Sequence, residues 1–231
     1  MKFQKILLKI SGETLADKTG RGISFAALEN LSAEIIAAQK LKTQIAIVIG
    51  GGNFWRGRDF AQFPAAESDA VGMTATLLNG TILQNFLATK NLSAKVFSAI
   101  DFQFARKFET SAAREFLNSG GIPIFVGGTG NPFFTTDSAA VLRARQLSVD
   151  AILKATKVDG VFDADPQKNP AAKKFDKISF DECFAKNLKV FDRAAFAILK
   201  DVKIPLVVFD FFEKGNLVRV LRGEKVGTVV R

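Results

Sequence analysis

Ile45-Ala46-Ile47-Val48-Ile49 runs directly into Gly50-Gly51-Gly52-Asn53. The apolar run reads as a buried strand and the glycines as a loop at its carboxyl end. The same join occurs twice more. Ile6-Leu7-Leu8-Lys9-Ile10 enters Ser11-Gly12-Glu13, and Ile122-Pro123-Ile124-Phe125-Val126 enters Gly127-Gly128-Thr129-Gly130-Asn131. In an open α/β sheet, ligands bind just beyond the carboxyl ends of the strands. Loops with little side-chain bulk let backbone N–H groups approach an anion closely. Three such loops in one chain point to a site that holds several phosphates.

Outward from these runs, strand and helix patterns alternate. Strands are expected over Lys5–Ile10, Gln44–Ile49, Ala94–Phe97, Ile122–Val126, Ala151–Ala155 and Ile204–Asp210, with Thr228–Val230 as an added edge. Helices are expected over Phe25–Leu41 with Ser24 as N-cap, Asp69–Leu87, Thr110–Asn118, Asp137–Leu147 and Lys186–Asp201. Leu28, Leu31, Ile35 and Ile36 make the stripe of the first helix; Met73, Leu77, Leu78, Ile82 and Leu83 make that of the second. Asp159-Gly160, Asp165-Pro166 and Asn169-Pro170 mark Thr156–Ile178 as a looped or hairpin-bearing insertion. The expected fold class is α/β: a three-layer α/β/α sandwich around a mostly parallel sheet. Residues 1–231 read as one domain, with two glycine loops in the N-terminal half and the turn-rich segment in the C-terminal half.

Composition narrows the chemistry. The 231 residues include one cysteine, Cys183, which excludes an internal disulfide or a multi-cysteine zinc site and reads as a small buried residue. Histidine and tyrosine are absent, while phenylalanine reaches 23. Phe stands where Tyr would fit at several places, a compositional bias or recoding without a functional account. Without histidine, Ser-His-Asp and Cys-His catalysis and histidine metal sites are excluded. Any catalysis therefore uses Lys, Arg, Asp, Glu, backbone groups or a metal. The net charge of +9 is scattered, with no basic run of five. That favours small phosphorylated ligands over nucleic acid. No apolar run approaches the ~18–20 residues of a membrane span. A cytoplasmic enzyme is the expectation.

Two nucleotide signatures are missing: neither G-x-x-x-x-G-K-[ST] nor a complete G-x-G-x-x-G occurs. Lys9, two residues before Ser11-Gly12, can reach over the loop to neutralise phosphate oxygens, although alone it reads as a surface lysine. Gly50-Gly51-Gly52-Asn53 can line an anion, and Arg56 can clamp a phosphate. A plain connection does not need three glycines and their entropy cost. Trp55 reads as packing. Asp69 is either an N-cap or an acceptor for ribose hydroxyls. Thr129-Gly130-Asn131-Pro132-Phe133-Phe134-Thr135-Thr136-Asp137 is the most specific run. It combines bare loop residues, two aromatics for a planar ring, two hydroxyls and a carboxylate at a helix entry. Lys154–Pro166 follows a buried strand, and Thr156, Phe162 and Asp165 can frame a second nucleotide; the plain alternative is an exposed acidic hairpin.

On these residues the chain resembles the bacterial uridylate kinases of the amino acid kinase family. The likeness covers essentially the whole length. It is carried by Lys9-Ile10-Ser11-Gly12-Glu13, Val48–Asn53 with Arg56-Gly57, Gly128–Asp137, Lys154–Asp165 and Lys189-Val190-Phe191-Asp192. The resemblance implies transfer of the ATP γ-phosphoryl group to UMP, giving UDP and ADP, with Mg²⁺ carried by ATP and no direct protein ligand. It implies that Lys9, Ile10, Ser11, Gly12, Gly52 and Arg56 surround the ATP phosphates, and that Thr156, Phe162 and Asp165 hold its adenosine. Gly51, Asp69 and Thr129 through Thr136 would hold UMP. Lys9, Arg56, Asp137 and Asp192 would be catalytic, with a second lysine from the Lys154, Lys157 or Lys189 regions. It further implies a homohexamer, GTP activation through Asp17–Gly22, and UTP inhibition. The histidine and tyrosines of the family are absent, and Phe102–Arg114 diverges. Competing readings are a related kinase acting on a carboxylate or carbamate, a non-catalytic nucleotide-binding regulator, and an RNA-binding protein.

Overall fold

The apolar runs become the middle of a sheet, because only strands covered on both faces can bury every residue of such a run. In chain order the strands are β1 (Lys5–Ile10), β2 (Gln44–Ile49), β3 (Ala94–Ser98), β4 (Arg106–Lys107), β5 (Ile122–Val126), β6 (Ala151–Thr156), β7 (Val161–Phe162), β8 (Lys174–Phe175), β9 (Lys177–Ile178), β10 (Leu206–Asp210) and β11 (Thr228–Val230). The helices are α1 (Phe25–Lys40), α2 (Ala65–Thr89), α3 (Thr110–Asn118), α4 (Thr136–Leu147), α5 (Phe180–Ala185), α6 (Arg193–Val202) and α7 (Asn216–Arg222). The structure, a computed structural model, describes residues 3–166, 168–188 and 190–231.

Nine strands pair in the order β4-β3-β5-β2-β1-β6-β10-β11-β9. All neighbours run parallel except β10 and β11. β7 and β8 form a separate antiparallel hairpin, as the turn dipeptides around them require. Side chains alternate between the two faces. Ile6, Leu8, Ile10, Ile45, Ile47 and Ile49 pack under Leu28, Leu31 and Ile35 of α1, Leu83 of α2 and Leu217 of α7. Leu7, Ala46, Val48 and Ile152 face Ala113 of α3, Val141 of α4, Cys183 of α5 and Leu199 of α6. The result is the expected three layers.

The departures from the expected elements have local causes. α2 begins at Ala65 with Pro64 before it, so Asp69 lies inside the helix and is not its cap. Leu78 of the supposed stripe is exposed. The helix expected over Lys186–Asp201 starts later, as α6, which Asp192 caps; α5, which the sequence reading did not expect, lies before that span and opens on a Ser179–Glu182 capping box. α7 lies between Gly215 and Gly223, both at positive φ. β11 is not an edge, because β9 pairs outside it. Cys183 is buried, and burial pushes its thiol up to about 11. No helix among the described residues is long and apolar enough to cross a membrane.

α2 approaches the sheet closely at Gly80, where an added Cβ would enter the side chain of Val126, with Ile124 3.6 Å away. Gly80→Val is therefore expected to destabilise the fold by about 1–3 kcal/mol through overpacking. A lowered urea midpoint with unchanged slope is the expected readout. An unchanged midpoint would mean that the α2 spacing is not set there.

Candidate active site

The loops after β1, β2, β5 and β6 lie side by side because their strands are neighbours. A Cβ on Gly12 would sit 2.8 Å from both the Gly50 carbonyl oxygen and the Gly52 nitrogen, so only glycine lets the first two loops touch. Their separation is fixed from behind by a buried amide pair. Asn53 Nδ2 donates to Asn79 Oδ1 at 3.0 Å, and Asn79 Nδ2 donates to Asn53 Oδ1 at 2.7 Å. Asn79 Nδ2 also donates to Gly50 O, and Asn53 Nδ2 to Gly22 O. Four otherwise unmet amide groups are thereby satisfied, and three segments are tied at one point. Ser11 accepts from the Glu13 N–H and opens the short turn Gly12–Thr14.

The register of the sheet puts Lys9 of β1 directly opposite Lys154 of β6 on one face. Like charges in that position repel. Asp137, at the start of α4, lies between them. Its Oδ1 is 2.5 Å from Lys9 Nζ and its Oδ2 accepts from Lys154 Nζ at 3.1 Å. Lys9 and Asp137 are only 8% and 9% exposed, which excludes the surface-lysine reading of Lys9. Burial raises the Asp137 carboxyl most, yet the two ammonium groups together outweigh it and hold the group below its ordinary value. Burial pushes Lys154 below its ordinary value, against the pull of Asp137 and with the push of Lys9. Lys154 Nζ also donates to Val190 O at 2.6 Å and lies 4.7 Å from the centre of the Phe191 ring.

A cavity of about 240 Å³ opens on one side of this cluster. Gly51, Gly52, Trp55, Asp69, Asn131, Phe134, Thr135 and Thr136 are among its walls. Asp69 does not act as a cap: its Oδ2 accepts from the Phe133 N–H at 2.7 Å. Phe133 is at positive φ and its ring is exposed, so it joins the site through its backbone. Thr129, Gly130 and Pro132 do not line the cavity. Thr129 instead braces Asn131, whose N–H it accepts at 3.2 Å. Thr135 caps α4 by accepting from Asp137 N at 3.0 Å and donates its hydroxyl to Asp192 Oδ2. Trp55 stacks on Phe60 at 4.1 Å and donates to Ser68 Oγ at 3.1 Å, so it packs as expected and also walls the cavity.

On the other side a cavity of about 560 Å³ is lined by Lys154, Thr156, Phe162, Asp165 and Val190 among others. The structure thus brings Thr156, Phe162 and Asp165 together at one opening and joins it to the cluster through Lys154. Thr156 Oγ1 donates within its own loop to Val158 O. Arg56 stands by the first two loops: its Nε donates to Gly52 O at 2.9 Å and its Nη2 lies 2.9 Å from Glu13 Oε1. Of the lysine regions expected to supply a second cation, Lys154 contacts Asp137, and Lys189 lies outside the described residues.

Sequence reasoning missed Asn79, Thr76 and Ser68. Thr76 Oγ1 accepts from Gly127 N at 2.7 Å and lines the smaller cavity. All three sit on α2, one or more turns from any recognisable loop. An asparagine and a threonine amid apolar helix positions were the only signals for the first two, and Ser68, between Glu67 and Asp69, carried none.

A doubly wound sheet with glycine loops at its carboxyl edge, a buried and a partly buried lysine bridged by an aspartate, and cavities beside them define a phosphate-handling α/β domain. The amino acid kinase family model matches residues 4–210. The chain belongs to the amino acid kinase family. It is similar to the UMP kinase of Bacillus anthracis at 37% identity and TM-score 0.97, covering 100% of this chain and 97% of that one. It is also similar to the UMP kinase of Ureaplasma parvum, at 36% identity and TM-score 0.91 over 100% and 99%. The uridylate kinase of Archaeoglobus fulgidus follows at 27% and 0.73 over the full length of both.

Asp137→Asn strips the facing ammonium groups of their counter-charge and is expected to lower stability by about 3–5 kcal/mol at neutral pH. Because the folded carboxyl titrates below its unfolded value, this contribution is fully present above about pH 4 and is lost as pH falls through the folded value. Urea denaturation of both proteins is expected to show a constant gap from about pH 7 to 5 that closes at lower pH. A gap independent of pH would remove Asp137 from charge contact.

Proposed function

We propose that the protein transfers the γ-phosphoryl group of MgATP to UMP, forming UDP and ADP. The observation that carries this reading is the Lys9–Asp137–Lys154 cluster between two cavities, one walled by the Thr129–Thr136 loop and the other by Thr156, Phe162 and Asp165. In this reading the smaller cavity takes UMP and the larger takes ATP. Gly51, Asp69, Asn131, Phe134, Thr135 and Thr136 meet UMP directly, and Thr129, Gly130, Pro132 and Phe133 shape their loop. Ile10, Ser11, Gly12, Gly52 and Arg56 face the ATP phosphates. The N-terminal part of one domain spanning 1–231 thus binds the acceptor and the C-terminal part binds ATP.

The acceptor atom is a phosphate oxygen of UMP, already ionised near neutral pH. It forms a bond to the γ-phosphorus as the bond from that phosphorus to the β–γ bridging oxygen breaks. No proton needs to be removed, which suits a chain without histidine. Catalysis is then positioning together with neutralisation of charge on the moving group. Lys9 and Lys154 supply the cations, and Asp137 aims both. Arg56, released from Glu13, adds a forked contact to phosphate. Asp192 holds the end of the acceptor loop through Thr135. Both oxygens of Asp137 face ammonium groups, so Mg²⁺ arrives on the ATP phosphates. The resemblance extends this reading to a cytoplasmic homohexamer activated by GTP and inhibited by UTP.

A coupled assay of ADP release with ATP, Mg²⁺ and each nucleoside monophosphate is expected to show preference for UMP. Preference for a carboxylate or carbamate acceptor would reject the proposal. Lys9→Met and Lys154→Met are each expected to lower kcat by about 10²–10³-fold or more, with the fold intact by thermal melting. Turnover at the wild-type rate in either would remove that lysine from the transfer step. The single tryptophan supplies a binding signal: UMP is expected to change Trp55 fluorescence, and a silent titration at saturating UMP would place the acceptor elsewhere.

A further inference from the structure

The Thr135 hydroxyl serves both halves of the site at once. It accepts from the N–H of Asp137, and so sets the first turn of α4 and the carboxylate that stands between the two lysines. It donates to Asp192 Oδ2, while Asp192 Oδ1 accepts from Ala195 N at 2.8 Å and caps α6. One side chain therefore ties the N-termini of α4 and α6 together. The other end of the same loop is held by a second carboxylate, Asp69, through the Phe133 N–H. The loop that walls the acceptor cavity is slung between two carboxylates, and its last residue is fastened to the transfer centre.

Asp192 also belongs to the donor side electrically. Its charge acts on Lys154, which lines the larger cavity. Thr135 is exposed to solvent here, so water competes for its hydrogen bonds. A nucleotide in the acceptor cavity would cover Thr135 and strengthen a charge-assisted bond by excluding that water.

We propose that Thr135 is a positioning residue that couples the two substrates: occupation of the acceptor cavity tightens the Thr135–Asp192 bond, fixes Asp137 between the lysines, and raises affinity for the donor nucleotide. The coupling is reciprocal by thermodynamic linkage, so a donor analogue raises acceptor affinity by the same factor. This rests on the assignment of UMP to the smaller cavity.

The test measures the Kd of UMP by Trp55 fluorescence with and without a saturating non-hydrolysable ATP analogue, and UMP turnover in the same preparation. The wild type is expected to bind UMP about 5-fold or more tightly with the analogue present. Thr135→Val, which keeps shape and loses the hydroxyl, is expected to reduce that factor below about 2-fold. Thr135→Ser keeps the hydroxyl and is expected to restore it. Ser24→Ala removes the cap of α1, a comparable structural loss remote from the loop, and is expected to leave the factor unchanged. If Thr135→Val fails to fold, Thr135→Asn, a capping residue with altered reach toward Asp192, takes its place with the same expected loss. A wild type that turns over UMP without coupling, or a Thr135→Val protein that retains the full factor, overturns the interlock and leaves the kinase reading standing. A wild type that neither binds nor phosphorylates UMP overturns both.

Discussion

Two ammonium groups held opposite one another on neighbouring strands, with one carboxylate between them, set the terms for the rest of this molecule. At an effective dielectric near 20, unit charges about 4 Å apart interact by about 4 kcal/mol. Asp137 makes two such attractions at short range against one repulsion, so the cluster holds although it is almost excluded from water. It nonetheless keeps a net positive charge, with Asp192 only near enough to bias Lys154. The cluster adjoins loops whose backbone groups suit phosphate, which fits the proposed transfer of a phosphoryl group.

The neutralising carboxylate has to be placed to within a fraction of an ångström, and the fold does this with helix N-termini. α4 starts where Thr135 caps it, and α6 starts where Asp192 caps itself. The two caps are joined by one hydrogen bond, so the starting points of both helices are set together. On the opposite face, the Asn53–Asn79 pair does the same for the glycine loops, holding them to α2 and to the segment around Gly22. Flexible loops thus become fixed donors without any side chain intruding into the space they surround.

Most of the layers were legible in the sequence, since an apolar run ending in glycine constrains both the strand and what lies past its end. β1, β2, β5, α3 and β11 fall on the expected residues. Short elements were not legible: α5 and α7 are too brief for a period to show, and only the Ser179–Glu182 box and the glycines flanking α7 signal them. Lys9 stood out because it interrupts the apolar run Ile6–Ile10 just before a Ser-Gly turn. Lys154 did not stand out from Lys157 or Lys189, because what selects it is its register with Lys9, a fact of topology linking residues far apart in the chain. Asp69 was ambiguous for a similar reason. Its partner is the Phe133 backbone, which no local pattern relates to it. The amide pair was missed because a buried asparagine in a helix looks like any other polar residue until its partner is known.

The strand order explains why the charged cluster lies where it does. From β1 the chain adds β2 beside it, goes out to β3 and β4 on the same side, returns to set β5 between β2 and β3, then crosses to place β6 and β10 on the other side of β1. α4 is the helix that makes this crossing, packing over β1 and β2 on its way to β6. Its N-terminus therefore lies over the line where the winding direction changes, and a crevice opens at such a line because the flanking loops diverge. A residue at the start of α4 faces both loop sets at once. Asp137 occupies that place, with a lysine from the last strand before the crevice and one from the first strand beyond it. Openings on more than one side of one charge cluster are the direct consequence of this winding, and an in-line transfer between two phosphorylated molecules needs that arrangement.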